Sequence, residues 1–377
     1  MLLDFISSIK RFLFNVFLRL IPVKKNKIIF NSYCGKGYGD NPKYIAEELL
    51  KRDKKLDLVW MVNDINELLP KGIRPVLNNS RKARYELATS RIIICNVKQA
   101  LSFKKKRSQY YIQTWHGSFG LKYIEKDVQD KLPINYLRKT IADSKNIDLL
   151  LSNSNWQTEE YKRAFWYDGE ILEKGFPRND KFFNLSKEKR EIIKKEMKVP
   201  LDKRVLLYAP TFRESRSLDV YNIDLYTIKE TLKKKTKDEW IVLVRLHPNI
   251  TSYSDLFCGL EFIDVTSYPD GQEVLAISDI LITDYSSNMI DFILMNKPVF
   301  LYASDIEEYK KERGLKPVYY NLPFPLCQNN KELIDAVNAF EDDGYLKELK
   351  EFKKQYHSYD DGNSSKNVVD IILSKII

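Results

Sequence analysis

Two of the three histidines in this chain follow directly on short apolar runs, within residues 114–117 and 245–248. His116 and His247 therefore stand at the ends of predicted strands, and only His357 lies elsewhere. Histidine exchanges a proton near neutral pH, and ligands of open α/β sheets bind at the carboxyl ends of the strands. Two histidines in such positions predict an enzyme. The alternative is that both side chains are simply satisfied by backbone groups.

The first of these histidines is followed by residues suited to a substrate. Gly117 permits close approach of the backbone, and Lys122 brings a cation five residues later. In this position His116 is predicted to act as general base on an acceptor hydroxyl. The lysine could instead belong to a solvated helix face. The glycines at 35–39 lack the G-x-G-x-x-G spacing of dinucleotide loops and are predicted to form a tight turn.

Hydroxyl and cationic side chains follow strands in the second half of the chain. Thr211 and Arg213 come after the apolar run at 204–209, and Arg245 precedes His247. The planar guanidinium of arginine suits phosphate oxygens. Strand ends that bring cations and hydroxyls to one edge of a sheet predict a ligand that carries a pyrophosphate, as a nucleotide does.

A further strand ends in Asp284, Ser286 and Ser287, and the helix predicted at 288–295 carries Asp291 in its first turns. Serine at a helix start caps free N–H groups, and these groups together with the helix dipole bind phosphate. A plain N-cap is the alternative for Ser286 alone. The neighbouring strand ends favour the phosphate site.

The elements that position these residues are short apolar runs separated by amphipathic stretches, which indicates parallel sheets covered on both faces. A helix at 42–52 is predicted to be capped by Asn41, and further helices are predicted within 331–377. Strands are predicted at 27–30, 56–62, 91–96, 110–115 and 148–153 in the first half, and at 204–209, 240–246, 262–265, 280–283 and 298–302 in the second.

The predicted fold class is α/β, with two Rossmann-like, doubly wound domains facing a cleft, as in the GT-B transferases. The charged stretch at 186–198 separates the two series of strands. The predicted domains are 23–185, which would take the acceptor, and 186–377, which would bind the nucleotide and carry the terminal helices.

Residues 1–21 form a separate segment, with apolar side chains at the three-and-four spacing of one helical face. A spanning helix needs about 20 mostly apolar residues, and this segment carries Asp4, Lys10, Arg11 and Arg19. No small-residue cleavage site follows, as a signal peptide would require. We therefore predict an amphipathic helix over 1–22 that lies in a membrane interface. The alternative is a helix packed on the core of the protein itself.

Composition narrows the class of protein. The 377 residues favour two domains, and the contents of 44% hydrophobic and 30% charged residues are those of a globular protein. The net charge of +10 suits an anionic partner. Because the basic residues are spread along the chain, no nucleic-acid partner is predicted. The four cysteines are far apart, and no zinc or calcium spacing is present, so reduced thiols and no metal or cofactor are expected.

Five motifs in order resemble the CDP-glycerol glycerophosphotransferase family, which comprises peripheral-membrane GT-B enzymes that prime and polymerise wall teichoic acids. The resemblance spans about residues 28 to 325, and Asp291, 297–298 and Tyr302 continue its last motif. The motifs are Trp-His-Gly at 115–117, Gly-Phe-Pro-Arg-Asn-Asp at 175–180, Tyr-Ala-Pro-Thr at 208–211, Arg-Leu-His-Pro at 245–248 and Thr-Asp-Tyr-Ser-Ser at 283–287.

The resemblance implies transfer of a polyol phosphate from CDP-glycerol or CDP-ribitol to a hydroxyl of a lipid-linked saccharide, with CMP leaving, at the cytoplasmic face of the membrane. His116 would deprotonate the acceptor, and His247 would neutralise or protonate the leaving phosphate. No divalent cation is implied. The pyrophosphate would be held by Thr211, Arg213, Ser286 and Ser287. The predicted substrate-binding set also includes Gly117, Lys122, Arg245, Asp284 and Asp291.

One departure concerns the loop after the first histidine. The common form in the family is His-Gly-Thr-Pro-Leu-Lys, and this chain has one extra residue between His116 and Lys122. The loop borders the acceptor side, so the departure bears on the acceptor more than on the reaction. A primase, a short-chain transferase and a capsule-modifying enzyme all stay open. The rival functions are a GT-B glycosyltransferase that uses a nucleotide sugar and a basic, non-catalytic binding protein.

Overall fold

A computed structural model describes residues 14, 16–52, 55–98, 105–118, 120–213, 218–246, 257 and 260–376. The chain divides into two compact units. The first unit comprises residues 1–116, 125–180 and 359–377, and the second comprises residues 117–124 and 181–358. Each unit is built on its own parallel sheet.

The sheet of the first unit has, among the described residues, seven strands in the order β3-β2-β1-β4-β5-β6-β7. All neighbouring strands are parallel. The order reverses between β1 and β4, so this sheet has the switch point of a doubly wound fold. The strands are β1 (Lys24–Asn31), β2 (Asp57–Val62), β3 (Ile73–Leu77), β4 (Ser90–Cys95), β5 (Tyr110–Gln113), β6 (Leu149–Ser152) and β7 (Glu170–Glu173).

The sheet of the second unit has, in the described part of the chain, six parallel strands in the order β10-β9-β8-β11-β12-β13. Its switch point lies between β8 and β11. The strands are β8 (Arg204–Tyr208), β9 (Trp240–Val244), β10 (Phe262–Asp264), β11 (Ile280–Thr283), β12 (Val299–Tyr302) and β13 (Leu326–Cys327).

Helices connect the strands and close each unit. The α-helices of the first unit are Asp40–Arg52, Arg81–Thr89, Ile134–Ser144, Asn155–Ala164 and Ser364–Ile376. Those of the second unit are Lys187–Glu196, Leu225–Thr236, Gly271–Ile277, Asn288–Phe292, Ile306–Arg313, Asn330–Ala339 and Asp342–Tyr356, and the short helix Asp180–Asn184 begins at the last residue of a first-unit segment.

Both faces of the second sheet are buried under apolar clusters. Successive side chains of a strand point to opposite faces, so one strand contributes to both clusters. In β8, Val205 and Leu207 belong to one apolar cluster, whereas Leu206 and Tyr208 belong to another. The first cluster takes side chains from the helices Lys187–Glu196, Gly271–Ile277 and Asp342–Tyr356, and the second takes them from Leu225–Thr236 and Asn330–Ala339. The predicted α/β fold with two parallel sheets is thereby confirmed.

The two compact units differ from the domains predicted at 23–185 and 186–377 in three segments, of which residues 181–185 belong to the second unit. Residues 117–124 group with the second unit although both flanking segments belong to the first, and residues 359–377 return to the first unit. The return has a packing reason: Val368, Val369 and Ile372 of the last helix lie in the core that also contains Ile45 and Leu49. Such a contact joins distant parts of the chain, and local patterns do not report it.

The predicted amphipathic helix over 1–22 lies largely outside the described residues. Residues 16–20 are helical, with Leu18 buried and Phe17 and Leu20 exposed. In the described part of the chain, no helix has the length and apolar content that crossing a bilayer requires.

Candidate active site

His116 lies three residues beyond the end of β5, partly exposed, and its imidazole is held from one side. Its Nδ1 lies 2.7 Å from the main-chain oxygen of Asn96, which follows β4. A carbonyl oxygen can only accept a hydrogen bond, so Nδ1 must carry the proton. The neutral ring then has a bare Nε2, which is the form of histidine that accepts a proton from a substrate.

The surroundings of His116 favour its neutral form. Burial lowers the pKa of His116 below its ordinary value, and the positive charge of Arg178 lowers it further. The hydrogen bond to Asn96 and the negative charge of Asp40 act in the opposite direction. The imidazole is therefore uncharged at neutral pH, as a general base must be.

Four residues close a ring of hydrogen bonds, here called the base network: Asp40, Asn96, His116 and Arg178. Nη1 of Arg178 donates to the main-chain oxygen of His116 at 2.7 Å and to Oδ1 of Asp40 at 2.8 Å. Nδ2 of Asn96 donates to Oδ2 of Asp40 at 2.6 Å, and Asn96 in turn accepts from His116. Arg178 and Asp40 are both buried as side chains, so this pair is shielded from solvent.

Several residues with a strained backbone lie close to the base network. Tyr33, Cys34, Asp40 and Trp115 all have positive φ, between 44° and 58°, which non-glycine residues rarely adopt. The rings of Tyr33 and Trp115 lie 5.5 Å and 4.4 Å from that of His116. Strained backbone of this kind is typical of functional sites, where the surrounding contacts over-determine it.

Asn41 does not cap a helix, contrary to the sequence prediction. The helix begins one residue earlier, at Asp40, and the Asn41 side chain is used elsewhere. Its Nδ2 donates to the main-chain oxygens of Trp115, at 3.1 Å, and Thr114, at 3.4 Å, while its Oδ1 accepts from the main-chain N–H of Arg178. Asn41 therefore ties the histidine loop to residue 178. Gly35 lies in the predicted turn, and both Gly35 and Gly37 have a φ of 83°.

The motif at 175–180 has two structural tasks. Arg178 belongs to the base network, and Asp180 accepts the main-chain N–H groups of Ser364 and Ser365 at 2.8 and 2.7 Å. It therefore binds the start of the last helix. A side chain at Gly175 would have its Cβ only 2.4 Å from Oγ of Ser364, and φ of Gly175 is 82°, so glycine is required there.

In the second unit, Thr211 and Asp284 meet across the switch point between β8 and β11. The main-chain N–H of Thr211 donates to both carboxylate oxygens of Asp284, at 2.9 and 3.0 Å, and its hydroxyl donates to Oδ1. Asp284 is buried. The two strand ends are thus joined at the place in the sheet where ligands of such folds bind.

Arg213 is buried, and its guanidinium is hydrogen-bonded to protein groups. Its Nε and Nη2 donate to Asp305, at 2.5 and 3.0 Å, Nη2 also donates to Asp284 at 2.8 Å, and Nη1 donates to the main-chain oxygen of Thr211 at 2.7 Å. Only 4% of Arg213 is exposed. We call Thr211, Arg213, Asp284 and Asp305 the arginine cluster. Four of its five N–H donors are occupied by protein groups, and the predicted contact of Arg213 with a pyrophosphate stays a prediction.

Two stacked aromatic rings cover this guanidinium. Tyr285 and Tyr309 lie with ring centroids 3.7 Å apart, and the Arg213 guanidinium carbon is 4.8 Å from each centroid. The Tyr285 hydroxyl donates to Asp305 at 3.0 Å. Burial raises the pKa values of both tyrosines, so they stay neutral. The stack and the carboxylates together fix the arginine.

Lys122 is the cation next to this stack. Its Nζ lies 5.1 Å from the ring centroid of Tyr309, and among the described residues its ammonium forms no hydrogen bond or ion pair. Burial lowers the pKa of Lys122 to about 8, opposed by the charge of Asp284 and assisted by Arg313 and Arg213. A desolvated ammonium without a protein acceptor is suited to an anionic ligand.

The loop before Lys122 is anchored within the second unit. The Ser118 hydroxyl donates to Oδ1 of Asp291, and Nε2 of Gln272 donates to Oδ2 of Asp291 at 3.1 Å. The Tyr356 hydroxyl donates to the main-chain oxygen of Ser118 at 2.8 Å. Asp291 is buried and both of its oxygens bind protein groups, so it supports the loop, and its predicted role in substrate binding stays a prediction.

The remaining predicted residues have separate surroundings. Oγ of Ser286 accepts from the main-chain N–H of Asn288 at 3.3 Å, whereas Ser287, directly before the helix, makes no side-chain cap. Nη1 of Arg245 donates to the main-chain oxygens of Val265 and Tyr268. Gly117 is partly exposed.

His247 lies outside the described residues. Among those described, no group of three or more His, Cys, Asp or Glu side chains is arranged to hold a metal ion.

Sequence reasoning did not select several residues of these two sites. Asp40 and Asn96 carry no motif of their own, although Asn96 follows a predicted strand. Arg178 lies in the motif at 175–180, but the sequence assigns no role to this residue. Asp305 follows β12 and could have been found as a carboxylate beyond a strand end, as Asp284 was.

Residues 12–374 match the family described as CDP-Glycerol:Poly(glycerophosphate) glycerophosphotransferase. A teichoic acid poly(glycerol phosphate) polymerase of Staphylococcus epidermidis is 33% identical over 368 residues, which cover 93% of this chain and 51% of that protein. A teichoic acid glycerol-phosphate transferase of Staphylococcus aureus is 31% identical over 365 residues, covering 92% and 93%. This chain thus spans about half the length of the first relative.

A solved structure of the wall teichoic acid polymerase TagF is similar along the whole chain. It superposes with a TM-score of 0.86 at 30% sequence identity and covers 99% of this chain and 96% of that one. The resemblance predicted from the five motifs is confirmed by these comparisons.

Proposed function

The chain belongs to the CDP-glycerol:poly(glycerophosphate) glycerophosphotransferase family, and we propose that it transfers glycerol phosphate from CDP-glycerol to a hydroxyl group of a lipid-linked cell-surface glycopolymer. The observation that carries the proposal is the neutral imidazole of His116, whose Nδ1 is bound to Asn96 and whose Nε2 is left to accept a proton. Phosphoryl transfer asks chiefly for a positioned nucleophile and for stabilised charge.

In the proposed reaction, Nε2 of His116 takes the proton of the acceptor hydroxyl as its oxygen attacks the phosphorus that carries glycerol. A new P–O bond forms, and the bond from this phosphorus to the oxygen bridging the two phosphates breaks. The bridging oxygen leaves with CMP and carries the negative charge. One phosphodiester is made for each pyrophosphate linkage that is broken, so no further reactant is needed.

The second unit is proposed to hold the donor. Lys122 supplies an ammonium that has no acceptor among the described residues, and Ser286 and Ser287, both partly exposed, supply hydroxyls. His247 is proposed to stabilise the charge of the leaving phosphate, as the family motif implies. Arg213 and Asp284 are proposed to position the neighbouring residues of this site, because they are buried and their polar atoms bind one another.

We also propose that the protein works at the cytoplasmic face of the membrane as a peripheral protein bound through residues 1–21. In the part of this segment that the structure describes, Phe17 and Leu20 are exposed. The helix Ile134–Ser144 also exposes Ile134 and Tyr136, and the exposed basic side chains of Arg138 and Lys139 follow them at the spacing of one helical turn. Apolar and basic groups on one surface are typical of binding to anionic lipids.

The proposed activity is tested by CMP release from the purified full chain with CDP-glycerol or CDP-ribitol, each with and without a membrane extract as acceptor. We expect acceptor-dependent CMP from CDP-glycerol. CMP from CDP-ribitol alone would correct the donor. No CMP from either donor, with the protein shown to be folded, would contradict the proposed reaction and would lead to a screen of UDP-sugars.

The membrane location has its own test. A variant lacking residues 1–21 is expected to stay in the supernatant when anionic liposomes are sedimented, whereas the full chain pellets with them. If the truncated variant still pellets, the anchor is wrongly assigned. A variant with Ile134 and Tyr136 changed to serine then tests whether the helix Ile134–Ser144 binds the lipid.

A further inference from the structure

We infer that Asp40 and Arg178 are positioning residues for His116, which hold its main chain and its imidazole so that Nε2 stays free of hydrogen. The inference deepens the proposed function, since it rests on His116 acting as the base. Neither residue is proposed to touch a substrate. All four members of the base network belong to the first unit.

Arg178 fixes the main chain of the base. One N–H of its Nη1 is bound to the main-chain oxygen of His116 and the other to Asp40. The main-chain N–H of residue 178 is bound to Asn41, which also holds the carbonyl of Trp115. The peptide groups before and after the histidine are therefore both tied to one buried arginine segment.

Asp40 fixes the acceptor of the imidazole. The Asn96 side chain is bound on one side, where Nδ2 donates to Asp40, and on the other, where Oδ1 accepts from the main-chain N–H of Tyr33 at 2.8 Å. These bonds set the position of residue 96, whose main-chain oxygen faces Nδ1 of His116. In the other tautomer, two lone pairs would meet at 2.7 Å, so this placement selects the tautomer with a bare Nε2.

The two charges act on His116 in opposite directions. The groups that face the imidazole are the anion of Asp40, the cation of Arg178, the uncharged Asn96 and the neutral ring of Tyr33. Asp40 favours the protonated imidazole and raises its pKa, whereas Arg178 disfavours it and lowers the pKa. Removal of these two charges should therefore shift the titration of His116 in opposite directions, whereas a substitution far from the imidazole should not shift it.

The first measurement is the ¹⁵N spectrum of histidine-labelled full chain, with the His116 signals assigned from His116→Gln. We expect Nδ1 protonated and Nε2 bare in the wild type. In Asp40→Asn the tautomers should mix. Asparagine suits this test because it tolerates the φ of 58° that Asp40 adopts. If wild-type His116 carries its proton on Nε2, the inference is overturned whatever the variants do.

The second measurement is the pH dependence of kcat/KM for CMP release, whose acid limb reports the pKa of the base in the free enzyme. Removal of the anion in Asp40→Asn should move this limb to lower pH, and removal of the cation in Arg178→Gln should move it to higher pH. Both variants should lose about 100-fold in kcat/KM at their optimum, because the base is misplaced.

Glu86→Gln is the matched control. Glu86 forms a buried ion pair with Lys27 in the same unit, and none of its partners belongs to the base network. This variant should lose stability but keep the wild-type acid limb and tautomer. Unchanged limbs in both network variants, or shifts of the same sign, would refute the inference. Absence of CMP from the wild type would instead refute the proposed function, while the tautomer spectrum would still decide this point.

Discussion

The base network of the first unit and the arginine cluster of the second are built on the same plan. Each lies at the switch point of a parallel sheet, and each contains a buried arginine paired with aspartate: Arg178 with Asp40, and Arg213 with Asp284. They differ in what the arginine supports. Arg178 holds the backbone of a histidine whose Nε2 has no hydrogen-bond partner among the described residues, whereas Arg213 donates to the aspartates and the main chain of its own cluster.

The difference teaches which residues can meet a ligand. A charge that is buried and paired is costly to expose, so it stabilises the arrangement of its neighbours and does not bind substrate. The groups left over are partly exposed: His116 in the first unit and Lys122 in the second. Burial lowers the pKa of both, which leaves the histidine neutral and the lysine close to titration.

The largest effect is expected for His116→Ala. Loss of the general base should lower kcat for CMP release on the order of 10³- to 10⁴-fold. His357→Asn is the matched control, because His357 is exposed at the end of a helix with φ of 50°, which asparagine tolerates. Loss of less than tenfold in His116→Ala, with the control unchanged, would remove His116 from the role of base.

Arg213→Met asks whether the arginine cluster is structural. The buried Asp284 and the partly buried Asp305 would lose their cation, and the free energy of unfolding should fall by about 3–5 kcal/mol. The measurement is urea denaturation, with Arg204→Met as control, since Arg204 pairs with Asp238 at the surface. Equal stability of both variants, together with a large rise in KM for CDP-glycerol, would make Arg213 a ligand residue after all.

Lys122→Met should show the reverse behaviour. A charge-assisted hydrogen bond to phosphate contributes about 1.5–3 kcal/mol, so kcat/KM for CDP-glycerol should fall roughly 10- to 100-fold with unfolding little changed. Lys126→Met provides the control, because Lys126 is exposed. If the two variants have the same kcat/KM, Lys122 does not bind the donor.

The smallest effect is an alkaline limb in the pH profile. Because the pKa of Lys122 is about 8, its ammonium is charged below that pH and is lost as the pH rises through it. At pH 9, kcat/KM should be about tenfold below its plateau. Lys122→Arg keeps its charge above pH 12 and should abolish this limb. A limb that persists in Lys122→Arg must be assigned to another group.

Most of the fold could be predicted from apolar runs, and the strands that were missed share one physical cause. β3, β7 and β13 are edge strands of their sheets. β3 contains Arg74 and Pro75, and β7 begins and ends with glutamate. An edge strand is only partly buried, so it lacks the continuous apolar run by which a central strand such as Trp240–Val244 is found.

The sequence by itself determined the family, the two parallel sheets and the positions of His116, Thr211 and Asp284 at strand ends, because motifs and apolar runs are local along the chain. Only the tertiary structure decided which charged residues are paired with other protein groups. Arg213 and Lys122 are both cations in motifs, yet Arg213 is bound to carboxylates that follow distant strands, whereas Lys122 forms no ion pair in the described part of the chain. Pairing depends on neighbours in space, and the order of residues does not encode it directly.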